Sequence, residues 1–161
     1  MIKDNELFEI QLNVIGFLLK NIEDIDKLSI TKDYLKDFPT QGKKYNFKYI
    51  FERIEQIHKD NRDKELLTIL LSDKQIEQEF LMKAIEGNPY EEIASVQGIE
   101  NVIIQAHKEE LLRTEYKKLE DGLQSIEDYS KNVNQINELG IVKQEYITEN
   151  DLKECLSTEN I

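Results

Sequence analysis

Glu9-Ile10-Gln11-Leu12-Asn13-Val14-Ile15-Gly16-Phe17-Leu18-Leu19 is the most apolar segment of the chain, and it carries a glycine where a helix should be continuous. Leu7, Val14 and Leu18 recur at helical spacing, and Phe8, Leu12, Ile15 and Leu19 do the same on the neighbouring face. A surface helix shows one stripe, so two adjacent stripes predict a helix covered on both sides. Gly16 inside it costs about 1 kcal/mol relative to alanine. That cost argues for another backbone packed closely there. An ordinary core helix that tolerates a glycine accounts for the same pattern.

Around this segment the composition is helical. Glycine (6) and proline (2) are scarce among the 161 residues, and β-branched residues are dispersed among Leu, Glu and Lys. The length fits one compact domain with an appendage. The expected fold class is all-α, a compact multi-helix head followed by an antiparallel helical hairpin. The expected divisions are a head over 1–97, a hairpin over 98–140 and a linker or tail over 141–161.

The formal charge is −12, from 33 acidic and 21 basic residues. Such a chain is repelled by nucleic-acid phosphates, and Lys43-Lys44 and Lys117-Lys118 are pairs rather than a basic patch, so direct nucleic-acid binding is not expected. The single cysteine, Cys155, excludes an internal disulfide and a cysteine metal cluster. Glu9, Gln11 and Asn13 interrupt the first apolar stretch, so the N-terminus does not read as a signal peptide. No segment approaches a membrane span. A cytoplasmic location is the expectation.

Taken in order, the first helix is expected from about Asn5 to Lys20, then short turns over 21–28 and 29–35, with Thr31 as a cap. Phe38-Pro39-Thr40-Gln41-Gly42 reads as a loop. A helix from about Asn46 to Lys59 places Phe47, Ile50, Phe51, Ile54 and Ile57 on one face, with His58 beside it. After the polar turn 60–63, Leu66-Leu67-Thr68-Ile69-Leu70-Leu71 reads as a fully buried helix, with a short strand as the competing assignment. Ser72 or Asp73 caps a helix through Phe80, Leu81, Met82 and Ile85, and Pro89 opens a short helix over 90–96.

From Ile99 to Asp121 one long helix is expected. Gly122 followed by Leu123 fits a glycine-terminated C-cap with its hydrophobic contact. Ser125-Ile126-Glu127-Asp128 fits a capping box that opens a second helix carrying Ile126, Tyr129, Val133 and Ile136. Two helices with narrow apolar stripes and a tight turn make an antiparallel hairpin that covers only part of itself, a natural oligomerisation element. Residues 141–147 read as extended and Thr148 as the cap of a weak helix.

Chemistry is sparse. Gln41-Gly42-Lys43-Lys44 lacks the upstream glycine and the Ser or Thr of a phosphate-binding loop. His58 and His107 would need to converge with carboxylates such as Glu55 or Glu110 to hold a metal, and each reads better as a partly buried polar residue on a helix. Glu91-Glu92 and Glu109-Glu110 are neighbours that splay about a helix rather than form an acid–base pair. No catalytic residue, cofactor or metal is expected.

The opening segment resembles the signature of the N-terminal domain of DnaB-type replicative helicases: an acidic residue, an aliphatic pair, a glycine and Leu-Leu, matched by Glu9, Val14 with Ile15, Gly16, and Leu18 with Leu19. Tyr49-Ile50-Phe51-Glu52-Arg53-Ile54 is similar to that family's aromatic-aliphatic helix, with Phe47 and Lys48 where the family has histidine and arginine. Residues 101–113, ending in Leu112-Arg113, are similar to the helix that leads into the hairpin. The resemblance spans about 5–139 and departs at Asn61-Arg62-Asp63, where the family carries a Gly-Gly turn. A divergent member, such as one from a phage or mobile element, would look like this. The resemblance implies a non-catalytic assembly and docking domain that self-associates as a dimer or ring and contacts primase or a helicase loader, with the ATPase motor outside this sequence. The expected interface is Leu112, Tyr116, Leu119, Ile126, Tyr129 and Val133. Two other readings stand beside it: a free-standing acidic helical protein that binds and regulates a host replication protein, and a small helical enzyme with a carboxylate–histidine metal site.

Overall fold

A computed structural model describes residues 2–40 and 43–139, without the side chains of residues 39 and 40. The expected extended stretch 141–147, the helix after Thr148, and Cys155 lie outside the described residues. The described chain is all-α apart from one short ribbon. Its helices are α1 (Asp4–Lys20), α2 (Phe47–Lys59), α3 (Leu66–Ser72), α4 (Gln78–Gly87), α5 (Ile93–Glu120) and α6 (Ile126–Asn137), with 3-10 turns at Ile22–Lys27, Lys32–Tyr34 and Asp63–Glu65. Contacts divide the chain into two compact units, one to His107 and one from Lys108.

In the first unit α1 is covered on both sides. Every residue from Val14 to Leu19 is buried, as are Leu7, Gln11 and Leu12. The glycine in its middle marks a crossing with α4. A Cβ on Gly16 would fall on the Ala84 carbonyl oxygen, 2.8 Å from the carbonyl carbon and 2.9 Å from Asn88 Cβ. Ala84 is itself wholly buried, so two minimal side chains let the backbones meet. α2 buries the five apolar residues its spacing marks, Phe47, Ile50, Phe51, Ile54 and Ile57.

Two polar side chains sit wholly buried beside this core. Gln11 satisfies one backbone residue twice: its Nε2 donates to the Lys36 carbonyl and its Oε1 accepts the Lys36 N–H, both at 2.9 Å. Glu100, on α5, accepts the N–H groups of Ser29 and Ile30 on one carboxylate oxygen, at 2.6 and 3.1 Å. These bonds supply partners for backbone groups of the 28–37 connection, which has little regular structure of its own to pair them.

Several local expectations are corrected. The segment expected as a loop from Phe38 pairs instead: β1 (Phe38–Thr40) runs antiparallel to β2 (Lys43–Tyr45), with Phe38 opposite Tyr45. The ribbon is held by aromatic packing. Phe8 meets Phe38, Tyr45 and Phe47 edge-on at ring-centroid distances of 5.6, 4.9 and 5.6 Å. Each such pair adds roughly 0.5–1.5 kcal/mol beyond area burial.

The run 66–71 is one-sided: Leu66 and Leu70 are buried, while Leu67 and Leu71 are 42% and 53% exposed. Consecutive residues on a helix point around its circumference, and α3 has one neighbour-facing side. Asp73 is a turn residue rather than a helix cap. Its Oδ1 accepts the Gln75 N–H at 2.9 Å, its Oδ2 accepts the Tyr49 hydroxyl at 2.6 Å, and α4 starts only at Gln78. The helices expected at 90–96 and 99–121 are one continuous α5 that runs through Gly98.

Two glycines give opposite predictions. Gly16→Ala should lower the unfolding free energy by about 1–3 kcal/mol through overpacking against backbone, whereas Gly98→Ala, with nothing within 4 Å of the added carbon, should raise it by about 0.5–1 kcal/mol. Urea denaturation of both variants checks the pair; equal effects would remove the α1–α4 crossing as the reason for Gly16. Gln11→Ala should destabilise by about 1–3 kcal/mol and speed amide exchange at Lys36, which exchange measured by NMR reads directly.

Candidate interaction site

The second unit is a helical hairpin whose ends are set by local chemistry. The Leu123 N–H bonds to the Lys118 carbonyl at 2.8 Å and the Gly122 N–H to the Leu119 carbonyl at 3.1 Å. That pair of bonds is the Schellman termination, and it needs the positive φ of 72° that Gly122 supplies. Ser125 Oγ accepts the Asp128 N–H at 3.1 Å and caps α6. The hydrophobic contact expected of Leu123 is not made, since that side chain is 75% exposed.

Between the helices lies a polar network the sequence did not announce. Asn132 Nδ2 donates to Glu115 Oε2 at 3.1 Å and to Gln124 Oε1 at 3.2 Å, and Gln124 Nε2 donates to the Glu115 carbonyl at 2.9 Å. The hydrogen bond from Asn132, with those from Gln124 and Lys118, holds the Glu115 carboxyl below its ordinary pKa. Lys108 Nζ donates to the Asn137 carbonyl at 3.0 Å near the open end. These bonds fix which sides of α5 and α6 face each other. Glu, Gln and Asn at these positions look like ordinary solvated residues in a sequence, so nothing marked them.

The six residues expected at an interface fall into two groups. Leu112, Leu119, Tyr129 and Val133 are half-buried, on the sides the network draws together. Tyr116 and Ile126 are 57% and 72% exposed, and Leu123 at the turn, which was not among the six, joins them. Among the described residues from 108 to 139, Ile136 is the one hydrophobic residue that is buried, and it is still 8% exposed. With so little interior among its described residues, the hairpin gains little from folding by itself, and an isolated helix as short as α6 is marginal in water.

The two histidines are each used locally within the first unit. His107 packs edge-on against Tyr34 at a centroid distance of 5.2 Å. His58, at the end of α2, stands between two carboxylates: Nδ1 is 3.0 and 3.1 Å from the Asp63 oxygens and Nε2 is 3.1 Å from Asp26 Oδ2. The hydrogen bond to Asp63 raises the imidazole pKa above its ordinary value, burial opposes that shift, and the bond to Asp26 adds to it. Among the described residues no group of three or more His, Cys, Asp or Glu side chains is placed to hold a metal ion. Comparison with protein-family models, with curated proteins and with solved structures finds no match.

The His58 bridge predicts a pH dependence. Its folded pKa lies above its unfolded value of about 6.5, so its stabilisation is complete below that pH and is lost as pH rises through the folded pKa. The urea midpoint of the wild-type chain should fall between about pH 6 and 8, and His58→Gln should flatten that slope. An unchanged slope in the variant would show that His58 does not carry it.

Proposed function

We propose that this chain is a non-catalytic assembly and docking module of the DnaB-like helicase N-terminal type. It would associate with copies of itself through the hairpin and offer its surfaces to a primase or helicase loader. One observation carries the reading: the hairpin exposes Tyr116, Leu123 and Ile126 to water while burying little of itself. A second hairpin laid along the same stripe removes these side chains from water and completes the burial of Leu112, Leu119, Tyr129 and Val133. Such a two-fold contact is self-complementary, as the commonest homo-oligomers are.

The all-α head with α1 at its centre supports this reading. The polar network at Glu115, Gln124 and Asn132 supports it in a different way. It sets the register of α5 against α6 without consuming the exposed aromatic and aliphatic side chains. The hairpin therefore has a defined outer face, which association requires more than it requires a dry interior.

Tyr116→Glu combined with Ile126→Glu should convert the oligomer to monomer in multi-angle light scattering, with helical circular dichroism retained. A wild-type chain that remains monomeric at several hundred micromolar would overturn the assembly reading. Unchanged association in the double variant would overturn the surface.

A further inference from the structure

We propose that a preformed cleft between the start of α1 and the strand β1 is a docking site for a basic, leucine- and arginine-bearing segment of a partner protein. The cleft has a volume of about 630 Å³ and is lined by Asp4, Phe8, Glu9, Lys36, Asp37 and Phe38, with Asn5. Phe8 and Phe38 form an aromatic floor; their rings meet edge-on at 5.6 Å and both are partly buried, packed against the core. Asp4, Glu9 and Asp37 make the rim acidic against the single Lys36.

The walls are held before any partner arrives. Lys36 is fixed through its own backbone by the two Gln11 hydrogen bonds, and Asp37 by its Oδ1, which accepts the Lys48 N–H at 3.0 Å. A preformed site spares the ordering entropy of binding. Glu9 is exposed and makes no ion pair among the described residues. The Lys36 ammonium shows what the cleft accepts: it lies 5.7 Å from the Phe38 ring centroid and 3.3 Å from Asp4 Oδ1. One cation thus already uses an aromatic face and a carboxylate together.

Arginine suits the remaining acceptors better than lysine, because its planar guanidinium stacks on rings and pairs with carboxylates through two donors. A neighbouring leucine would cover the rest of the Phe8 and Phe38 rings. Phosphate-bearing and acidic ligands are repelled by the rim. The inference rests on the cleft alone and not on the hairpin assembly reading, whose residues lie in the other unit.

The test is an NMR titration of the full 15N-labelled chain with acetyl-Leu-Arg-Leu-Arg-Leu-amide. The same peptide with Glu for Arg and acetyl-Gly-Arg-Gly-Arg-Gly-amide serve as controls. Saturable shifts confined to residues 4–9 and 36–38, weakened by salt and by either control, are expected. Asp4→Lys with Glu9→Lys should weaken binding roughly three- to tenfold, as loss of two exposed ion pairs would. Glu9→Gln alone should do so by a smaller factor if the double variant loses helix content. Shifts elsewhere, equal binding of the acidic peptide, or wild-type affinity in both variants would overturn the proposal. Shifts at 4–9 and 36–38 that grow with protein concentration in the absence of peptide would overturn it too, by making a second copy the occupant.

Discussion

At Gly16 the backbone of α1 approaches the Ala84 carbonyl so closely that no side chain fits between them, and much of the first unit is arranged around that crossing. With α4 held there, Phe80 stands where it meets Tyr45 and Phe47, at centroid distances of 5.5 and 4.9 Å. The same rings meet Phe8 on α1, so one aromatic cluster joins α1, α2, α4 and the ribbon. Widening the crossing by one carbon would loosen contacts several residues away in every direction. A close-packed interior transmits such a change rather than absorbing it.

The first unit also closes its irregular segments with buried polar side chains instead of regular pairing. Gln11 mimics a paired strand for Lys36, and Glu100 gives a connection from α5 back to the 29–30 backbone. Each keeps a connecting segment against the core at little expense in regular structure, because the backbone groups involved would otherwise need water. Placing Lys36 in this way also places its ammonium over Phe38, so the shape of the cleft follows from the same tether. The second unit is built on another logic. Its turn and caps are locally determined, its facing sides combine a polar network with half-buried apolar residues, and Tyr116, Leu123 and Ile126 are left at the surface.

The sequence was legible where a residue type has one physical meaning. A glycine inside an apolar helix costs stability, which pointed to a close approach at Gly16, and the double stripe around it predicted a helix covered on both sides, although an ordinary core helix that tolerates a glycine fitted the same pattern. Gly122 and Ser125 marked the hairpin turn for equally local reasons. It was not legible where tertiary context decides. The run 66–71 on α3, apolar but for Thr68, read as buried, but a short helix with one covered side buries only Leu66 and Leu70. The ribbon at 38–45 has strands of three residues, too short for alternation to show, and Pro39 argued against pairing. Gln11 looked like a polar interruption of a stripe, and Glu100 like one more acid. Of the interface residues, the apolar character was readable and the degree of exposure was not, because Glu115, Gln124 and Asn132 decide which sides of the hairpin face inward.

In the proposed assembly a partner copy completes the hairpin, while the first unit is self-sufficient. Amide hydrogen exchange followed by mass spectrometry at low and high protein concentration separates these directly. Protection over residues 112–133 should rise with concentration while that of α1, α2 and α4 stays constant. Hairpin protection that is already complete in dilute monomer, and indifferent to concentration, would contradict the account.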